Sequence, residues 1–450
     1  MVSAAEQLAA NLNFGAFSKA EELKKRLWFT LVALLVYRLG TFIPIPGINP
    51  VAFAETFKQS SNGILGMFNM FAGGAVERLA IFALNIMPYI SASIIMQLMT
   101  SVVPSLETLK KEGEAGRKQI NQYTRYLTVA LAAFQAYGIA VGLEGSRGQS
   151  GPVVLDPGLF FRITTVITLV GGTLFLMWLG EQITARGVGN GTSLIIMAGI
   201  VAGLPSALAG LFELSRQGAL SPALLIALLA LMLAVVAAIV FIERAQRRLL
   251  IQYPKRQTGN KMFQGEASHL PLKLNSSGVI PPIFASSLLL LPITAAQFMQ
   301  GTGPEWLQTV VASLGRGQPL YLAIYVALIM FFAFFYTAVV FNPVDTADNL
   351  RKYGGFIPGI RPGTKTAEYI DYVLTRITVV GALYLAIVCV LPELLISYAA
   401  VPFYFGGTSL LIAVSVTMDT VAQIQSHLIA QQYEGLIKKA KLRGASRGRL

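Results

Sequence analysis

Residues 222–242 read PALLIALLALMLAVVAAIVFI, an uncharged run of 21 residues that ends directly before Glu243 and Arg244. A helix needs roughly 20 consecutive apolar residues to cross the hydrocarbon core of a bilayer. Nine comparable runs occur elsewhere, at about 27–44, 79–103, 126–143, 160–180, 188–208, 277–298, 319–341, 374–395 and 406–427. The sequence therefore predicts an all-α polytopic membrane protein with ten transmembrane helices.

The composition supports the same class. Hydrophobic residues make up 54% of the chain and charged residues 13%, with a mean hydropathy of +0.61, whereas about a quarter of a soluble domain is charged. An outer-membrane barrel is excluded, because its strands alternate apolar and polar residues and give no long apolar runs. The first run has no small-residue cleavage pattern at its end, so we expect a retained span rather than a signal peptide.

Lysine and arginine residues indicate the orientation. With the N-terminus inside, 28 of the 35 Lys and Arg residues fall in inside segments, 6 fall outside and Arg38 lies within the first span. Because cytoplasmic loops carry the excess of Lys and Arg, we predict that both termini are cytoplasmic. Residues 1–26 would form an N-terminal segment and residues 428–450 a basic tail.

Two of the predicted cytoplasmic loops, about 243–276 and 342–373, are long and rich in Lys, Arg, Gly, Pro and aromatic residues. Long connections are usually functional or disordered. The net charge of +13 lies mostly on this face, and it would suit anionic lipids, an acidic protein or RNA. Positive-inside topology explains the sign of the charge but not the length of the loops.

Residues that would carry catalysis or bind a cofactor are not evident in the sequence. Cys389 is the single cysteine, and His269 and His427 lack partners at metal-ligand spacing, so we predict no disulfide, no metal site and no catalytic residue. The stretch GIRPGTKT at 359–366 has the wrong order for a phosphate loop, and no strand precedes it. We therefore expect no nucleotide site and no cofactor.

Few acidic or basic residues lie deep within the predicted spans. Arg38, near the outer end of the first span, and Asp419, midway in the last, are the exceptions. Ion-driven carriers usually mark their path with intramembrane ionisable groups. The five-plus-five arrangement of spans would still fit an inverted-repeat secondary transporter, which is the alternative function. A lipid-modifying enzyme would need a convergent polar cluster, and the sequence offers none.

Six isoleucines stand beside helix breakers or at a spacing of four, namely Ile86, Ile90, Ile196, Ile200, Ile283 and Ile412. Residues four apart share one face of a helix. Such residues are common in any core or lipid-facing surface. They could also form an apolar ring that closes a channel by excluding water.

The segment FNMFAGGA at 68–75 is apolar but too short to span, and Gly73-Gly74 would hinge it. A short broken segment in a transport protein indicates a transport site.

Seven motifs together resemble the bacterial SecY family, in the family's order and from about residue 20 to the C-terminus. They are TFIPIPGI (41–48), MFNMFAGGA (67–75), IFALNIMPYISASIIMQL (81–98), GNGTSLIIMAGIVAGLP (189–205), HLPLKLNSSGVIPPIFASS (269–287), NPVDTADNLRKYGGFIPGIRPG (342–363) and VPFYFGGTSLLI (401–412). The resemblance implies a channel of two inverted five-helix halves, 27–208 and 209–427, around a central pore. It would pass unfolded secretory proteins across the plasma membrane and release hydrophobic segments sideways into lipid.

The resemblance also implies roles for particular residues. The six isoleucines would form the pore ring, and Gln97, Ser286 and Ser287 would belong to the lateral gate. The plug would lie at about 64–75 and include Met67, Phe68, Asn69, Met70, Phe71, Ala72, Gly73 and Gly74.

The implied partners are SecE-like and SecG-like small membrane subunits, the SecA motor ATPase, the ribosome with its RNA, signal sequences with unfolded secretory chains, and anionic lipids. Lys255, Arg256 and Lys261 of the first long loop and Arg361 of the second would contact the motor or the ribosome. Family members often carry an arginine pair where this chain has Asn260-Lys261, and a lysine cannot make the bidentate contacts of arginine.

Overall fold

A computed structural model of the chain describes residues 21–60, 69, 71–144, 147–148, 151–218, 221–253, 256–258, 261–263, 267–298, 318–399 and 407–447. The chain divides into two compact units, Met1–Gly203 with Val416–Leu450, and Leu204–Ser415.

The first unit is built from helices and one small hairpin. Its elements are α1 (Glu21–Gly40), α2 (Pro50–Ser60), α3 (Met87–Val102), α4 (Pro104–Lys111), α5 (Glu114–Glu144), β1 (Arg147–Gly148), β2 (Gly151–Pro152), α6 (Leu159–Arg186), the part of α7 (Gly191–Arg216) up to Gly203, and the part of the last helix, α13 (Gly407–Arg447), from Val416 onward. The long helix α5 packs against α3 and α6, and α6 also packs against α1.

Glycines allow close approach of the backbone segments in this unit. A Cβ on Gly172 of α6 would lie 2.1 Å from the Ile81 carbonyl oxygen, and a Cβ on Gly191 would lie 2.0 Å from the Gly180 carbonyl oxygen. Both distances are too short for any side chain, so these positions require glycine. The glycine cluster at residues 187–191, where α6 turns into α7, therefore serves helix packing.

The second unit holds the end of α7, then α8 (Pro222–Arg244), β3 (Gln246–Gln252), β4 (Arg256–Thr258), β5 (Lys261–Phe263), β6 (Ala267–Lys273), α9 (Ile280–Phe298), α10 (Pro319–Val340), α11 (Pro343–Lys352), α12 (Thr364–Ala399) and the start of α13. Helix α10 packs against α9 and α12.

Side-chain caps define the starts of two helices in this unit. Ser221 accepts a hydrogen bond from the Leu224 amide at the start of α8, and Asn342 accepts from the Val344 and Asp345 amides at the start of α11.

The described parts of the two long loops expected from the sequence pack together as one folded platform, which we define as the described residues within 246–273 and 353–377. Strand β3 pairs antiparallel with β6 over seven residues, and Gln252 pairs with Phe356 of the second loop. Leu249, Leu272, Ile357, Ile370, Val373 and Ile377 form its buried core. Short β-structure is therefore added to the predicted all-α architecture.

A helix occurs at each of the ten predicted spans. In the described part of the chain six helices are long and apolar enough to cross a membrane, or seven if the bent pair α3 and α4 forms one span. The number ten and the inverted relation of the halves stay predictions. The second predicted span, 79–103, becomes helical only at Met87, because Pro88 favours the first turn of a helix.

Candidate functional site

Four of the six predicted ring isoleucines lie in the first unit. Ile86 and Ile90 stand at the start of α3, where the Ile90 amide donates to the Ile86 carbonyl at 3.1 Å. Ile196 and Ile200 stand on α7 at a spacing of four. All four side chains are buried, with exposures between 0% and 7%. Branched apolar side chains are thus buried at two helices of this unit.

Ile283 and Ile412 belong to the second unit and are also buried. Ile283 lies in the first turn of α9, after Pro281-Pro282, and Ile412 lies near the start of α13. The closure of all six residues into one ring stays a prediction.

The predicted plug is partly described: Asn69, Phe71, Ala72, Gly73 and Gly74 belong to the described residues, and Met67, Phe68 and Met70 lie outside them. Phe71 and Ala72 are buried, at 2% and 0% exposure. Gly73 and Gly74 have φ angles of +64° and +84°, a conformation in which a Cβ is strained. The glycine pair therefore makes a tight turn at this point.

Two asparagines stabilise this turn. Asn69 accepts a hydrogen bond from the Glu77 amide at 2.9 Å through its side-chain oxygen. Asn85, which has φ +49°, donates its side-chain amide to the Phe71 carbonyl at 2.7 Å in a buried position. Buried backbone carbonyls need such partners. Residues 71–85 are therefore folded back on themselves directly before α3.

The turn packs on α7 at Gly199, which lies in the sequence between Ile196 and Ile200 of the predicted ring. A Cβ on Gly199 would lie 2.4 Å from the Phe71 carbonyl oxygen and 3.2 Å from the Gly73 amide nitrogen. A Cβ on Gly73 would lie 3.0 Å from the Gly199 Cα. The two backbones touch without intervening side chains, and we call this contact the glycine seat.

A hydrogen bond from α1 also reaches the turn. Arg38 donates through Nη1 to the Gly73 carbonyl and, at 3.5 Å, to Thr41 Oγ1. Its guanidinium carbon lies 4.8 Å from the centroid of the Phe42 ring. The arginine that the sequence placed at the outer end of the first span thus binds the predicted plug.

The motif TFIPIPGI (41–48) forms an extended segment that hydrogen-bonds the residues after the turn. The Ile45 amide donates to the Leu79 carbonyl at 3.0 Å, and the Ile81 amide donates to the Ile43 carbonyl at 2.9 Å. In the same extended segment, the Gly47 carbonyl accepts a hydrogen bond from the Leu155 amide at 3.1 Å. The segment after the predicted plug is therefore fixed to a β-like ladder, while residues 71–74 rest on α7.

The predicted gate residues lie in different units. Gln97, on α3 in the first unit, has a buried side-chain oxygen that accepts no hydrogen bond from the described residues. Ser286 and Ser287 are buried on α9 in the second unit, where Ser286 donates to the Ile283 carbonyl at 2.9 Å. Their joint role in a gate stays a prediction.

Of the predicted motor and ribosome contacts, Arg361 is the one with a described side chain. It is exposed in the turn of the platform between Gly359 and Gly363, which have φ angles of +83° and +106°. Thr366 donates to the Arg361 carbonyl at 2.9 Å and fixes this turn. Arg256 and Lys261 lie in the paired strands β4 and β5, and Lys255 lies outside the described residues.

Sequence reasoning missed Gly199, Asn85 and the folded platform. The alternation of Leu249 with Ile251 and of Leu270 with Leu272 could have indicated strands. Gly199 carried no such signal, because a glycine in a membrane helix is common. Among the described residues no group of three or more His, Cys, Asp or Glu side chains could hold a metal ion.

Comparisons with known proteins agree on one family. A family model described as SecY matches residues 80–421. The chain is 58% identical over 429 residues to the protein translocase subunit SecY of Rickettsia conorii, covering 95% of this chain and 99% of that protein. It is 56% identical over 427 residues to the SecY of Escherichia coli K12, covering 95% and 96%.

Solved structures share the fold at low sequence identity. The structure described as "The structure of a protein conducting channel" has a TM-score of 0.64 at 17% identity and covers 90% of this chain and 92% of that one. The structure described as "Sec61 in the Canine ribosome-channel complex from the endoplasmic reticulum" has a TM-score of 0.62 at 16% identity, with the same coverage. The polytopic helical fold predicted from the sequence is thereby confirmed.

Proposed function

The chain belongs to the SecY family, and we propose that it is the channel-forming subunit of a protein translocase in the bacterial plasma membrane. In this role it passes unfolded secretory proteins across the membrane and releases hydrophobic segments sideways into lipid. The observation that carries the proposal is the glycine seat, because it packs a buried apolar turn against Gly199 of α7, the helix that carries Ile196 and Ile200 of the predicted ring.

An apolar pore suits this substrate. A translocated chain presents every kind of side chain, so a channel for it cannot rely on specific ligands. A narrow ring of branched apolar residues can surround an extended strand and still exclude water when it is empty. The turn at residues 71–74 would act as the plug that seals the resting channel, and Gln97, Ser286 and Ser287 would border the exit into lipid.

The driving force would come from partners. Because the sequence predicts no nucleotide site, the channel would work with a SecA-like motor or the ribosome, and with SecE-like and SecG-like small subunits. Both termini would be cytoplasmic, so the platform would face the motor, the ribosome and anionic lipid headgroups. Strand β3 supplies exposed Arg247 and Arg248 to that face, and such charges suit RNA phosphates through salt-sensitive contacts.

Photocrosslinking of a stalled secretory chain tests the proposed function. A photoreactive residue at Ile86 or Ile283 is expected to capture the chain, because both side chains would line the pore. A probe at Ile167 of α6, which is 67% exposed and would face lipid, is the matched control and should capture none. Absence of capture at Ile86 and Ile283, together with saturable uptake of a small solute, would favour a secondary transporter.

Charge reversal at Arg361 tests the platform as a motor site. Arg361→Glu is expected to lower motor-driven export about tenfold or more while the variant still accumulates in the membrane, because the side chain is exposed and supports no core contact. Removing one partner of a desolvated charged pair at an interface weakens binding enough to account for this loss. Lys352→Glu, an equal reversal at an exposed residue of α11, is the control. Normal export by Arg361→Glu would remove this residue from the motor site.

A further inference from the structure

We propose that Arg38 is a positioning residue of the channel: it holds the plug closed as a reversible latch on the Gly73 carbonyl. This inference rests on the proposed function, since it assigns the turn at residues 71–74 to the plug. Arg38 lies on α1, and Gly73 lies 35 residues further along the chain. The hydrogen bond therefore ties a fixed helix to a segment that must leave its seat when the channel opens.

The chemistry of the guanidinium group suits a latch. It stays charged at every physiological pH and offers several donors in a fixed plane. A hydrogen bond from a charged donor is roughly twice as strong as a neutral one. The Gly73 carbonyl points toward Arg38 because Gly73 adopts a left-handed turn, which a residue with a side chain would resist.

The surroundings of Arg38 orient it toward the plug. Thr41 accepts from the same nitrogen, Nη1, and the Phe42 ring lies against the guanidinium carbon at 4.8 Å, within the range of a cation–π contact. Among the described residues no carboxylate forms an ion pair with Arg38. Arg38 therefore binds the Gly73 carbonyl, and no carboxylate of the described residues competes for its charge.

A second arginine makes the latch reversible. The guanidinium carbon of Arg78 lies 4.2 Å from the centroid of the same Phe42 ring. Both guanidinium groups lie against this one ring, so their like charges repel each other. Arg78 Nη1 is also buried without a hydrogen-bond partner in the described residues. The repulsion weakens the hold of Arg38 on the turn, so an arriving chain can displace the plug without breaking an ion pair.

The experiment measures how often the plug leaves its seat. Val76, two residues after the turn and 8% exposed, is replaced by cysteine in the whole chain carrying Cys389→Ser, and the channel is reconstituted in liposomes. Reaction with an impermeant maleimide then reports how often this buried position is uncovered when the turn leaves its seat. Arg38→Met is expected to raise the labelling rate about tenfold, which corresponds to the loss of a hydrogen bond from a charged donor, and to raise resting ion leak in parallel.

Three controls separate a latch from a general packing role. Arg38→Lys keeps a charged donor and is expected to restore most of the slow labelling. Arg78→Met removes a cation from the same ring but no bond to the plug, and labelling should not rise. A second reporter, Val154→Cys, lies 3% exposed in the same buried cluster as Val76. It should stay unreactive with the maleimide in Arg38→Met.

The outcomes are distinct. Equal labelling in Arg38→Met and the parent chain overturns the latch, and so does a rise at both reporters that Arg38→Lys fails to reverse. Transport of a secretory precursor is measured in the same liposomes. If the parent chain moves no precursor when its motor is supplied, the proposed function fails. If it moves precursor and labelling is unchanged by Arg38→Met, the latch alone fails.

Discussion

Replacing Gly199 with alanine is expected to open the resting channel to ions. The added Cβ would lie 2.4 Å from the Phe71 carbonyl oxygen, which is too short for any carbon atom, and 3.0 Å from the Tyr37 hydroxyl oxygen, which would have to shift. Overpacking of this kind costs about 1–3 kcal/mol, and each 1.4 kcal/mol is a factor of ten in an equilibrium. Because the plug can leave its seat more readily than α7 can move, we expect about a tenfold rise in ion efflux from liposomes.

The same helix provides a matched control. Gly203 lies four residues further along α7, and a Cβ there would meet no atom of the described residues within 4 Å. Gly203→Ala adds the same methyl group and should stabilise the helix by up to about 1 kcal/mol without changing the leak. Equal leak in the two variants would contradict the glycine seat. Protease resistance of both variants in the membrane would check that each is folded.

Asparagine at three ring positions is expected to hydrate the closed pore. Ile86, Ile196 and Ile200 are at most 4% exposed, and an amide side chain buried without a partner costs roughly 1–3 kcal/mol by protein mutational data. Water entering the ring would relieve that cost. We therefore expect the triple variant to conduct ions at rest at least about tenfold better than the parent, and to accept precursors with weakened signal sequences.

A buried isoleucine outside the ring separates hydration of the pore from loss of stability. Ile183 of α6 is fully buried and packs beside Gly187 at the turn into α7. Ile183→Asn should lower the amount of folded protein but leave the conductance per channel unchanged. If the triple variant stays as tight as the parent, the isoleucines are core residues and not a ring.

The positions of the helices could be predicted from the sequence because apolar runs report burial in lipid residue by residue. The extent of the second span could not, since its first residues are as apolar as the helix that follows. Ile45 and Ile43 hydrogen-bond residues 79 and 81, and this pairing keeps the segment before Met87 out of the helix. Such long-range pairing leaves little trace in local composition.

Some residues of the candidate site could likewise be predicted from the sequence, and others could not. The isoleucine pairs and the Gly73-Gly74 turn were visible in the sequence, since their spacing and residue types are unusual. Gly199 was not, because its importance depends on a backbone 126 positions away along the chain, at Gly73. The platform was missed for a related reason: its core joins Leu249 and Leu272 to Ile357 and Ile370, residues that belong to two separate loops.

The sequence by itself determined the class of the protein, its helical spans and the excess of positive charge expected inside the cell, because each follows from how single side chains partition between lipid and water. Tertiary structure alone decided which residues hold the turn at residues 71–74, the proposed plug. Arg38, Asn85 and Gly199 act through contacts with the carbonyl groups of Gly73 and Phe71. Backbone groups are the same at every residue, so only the folded chain can show which of them lie within hydrogen-bonding distance.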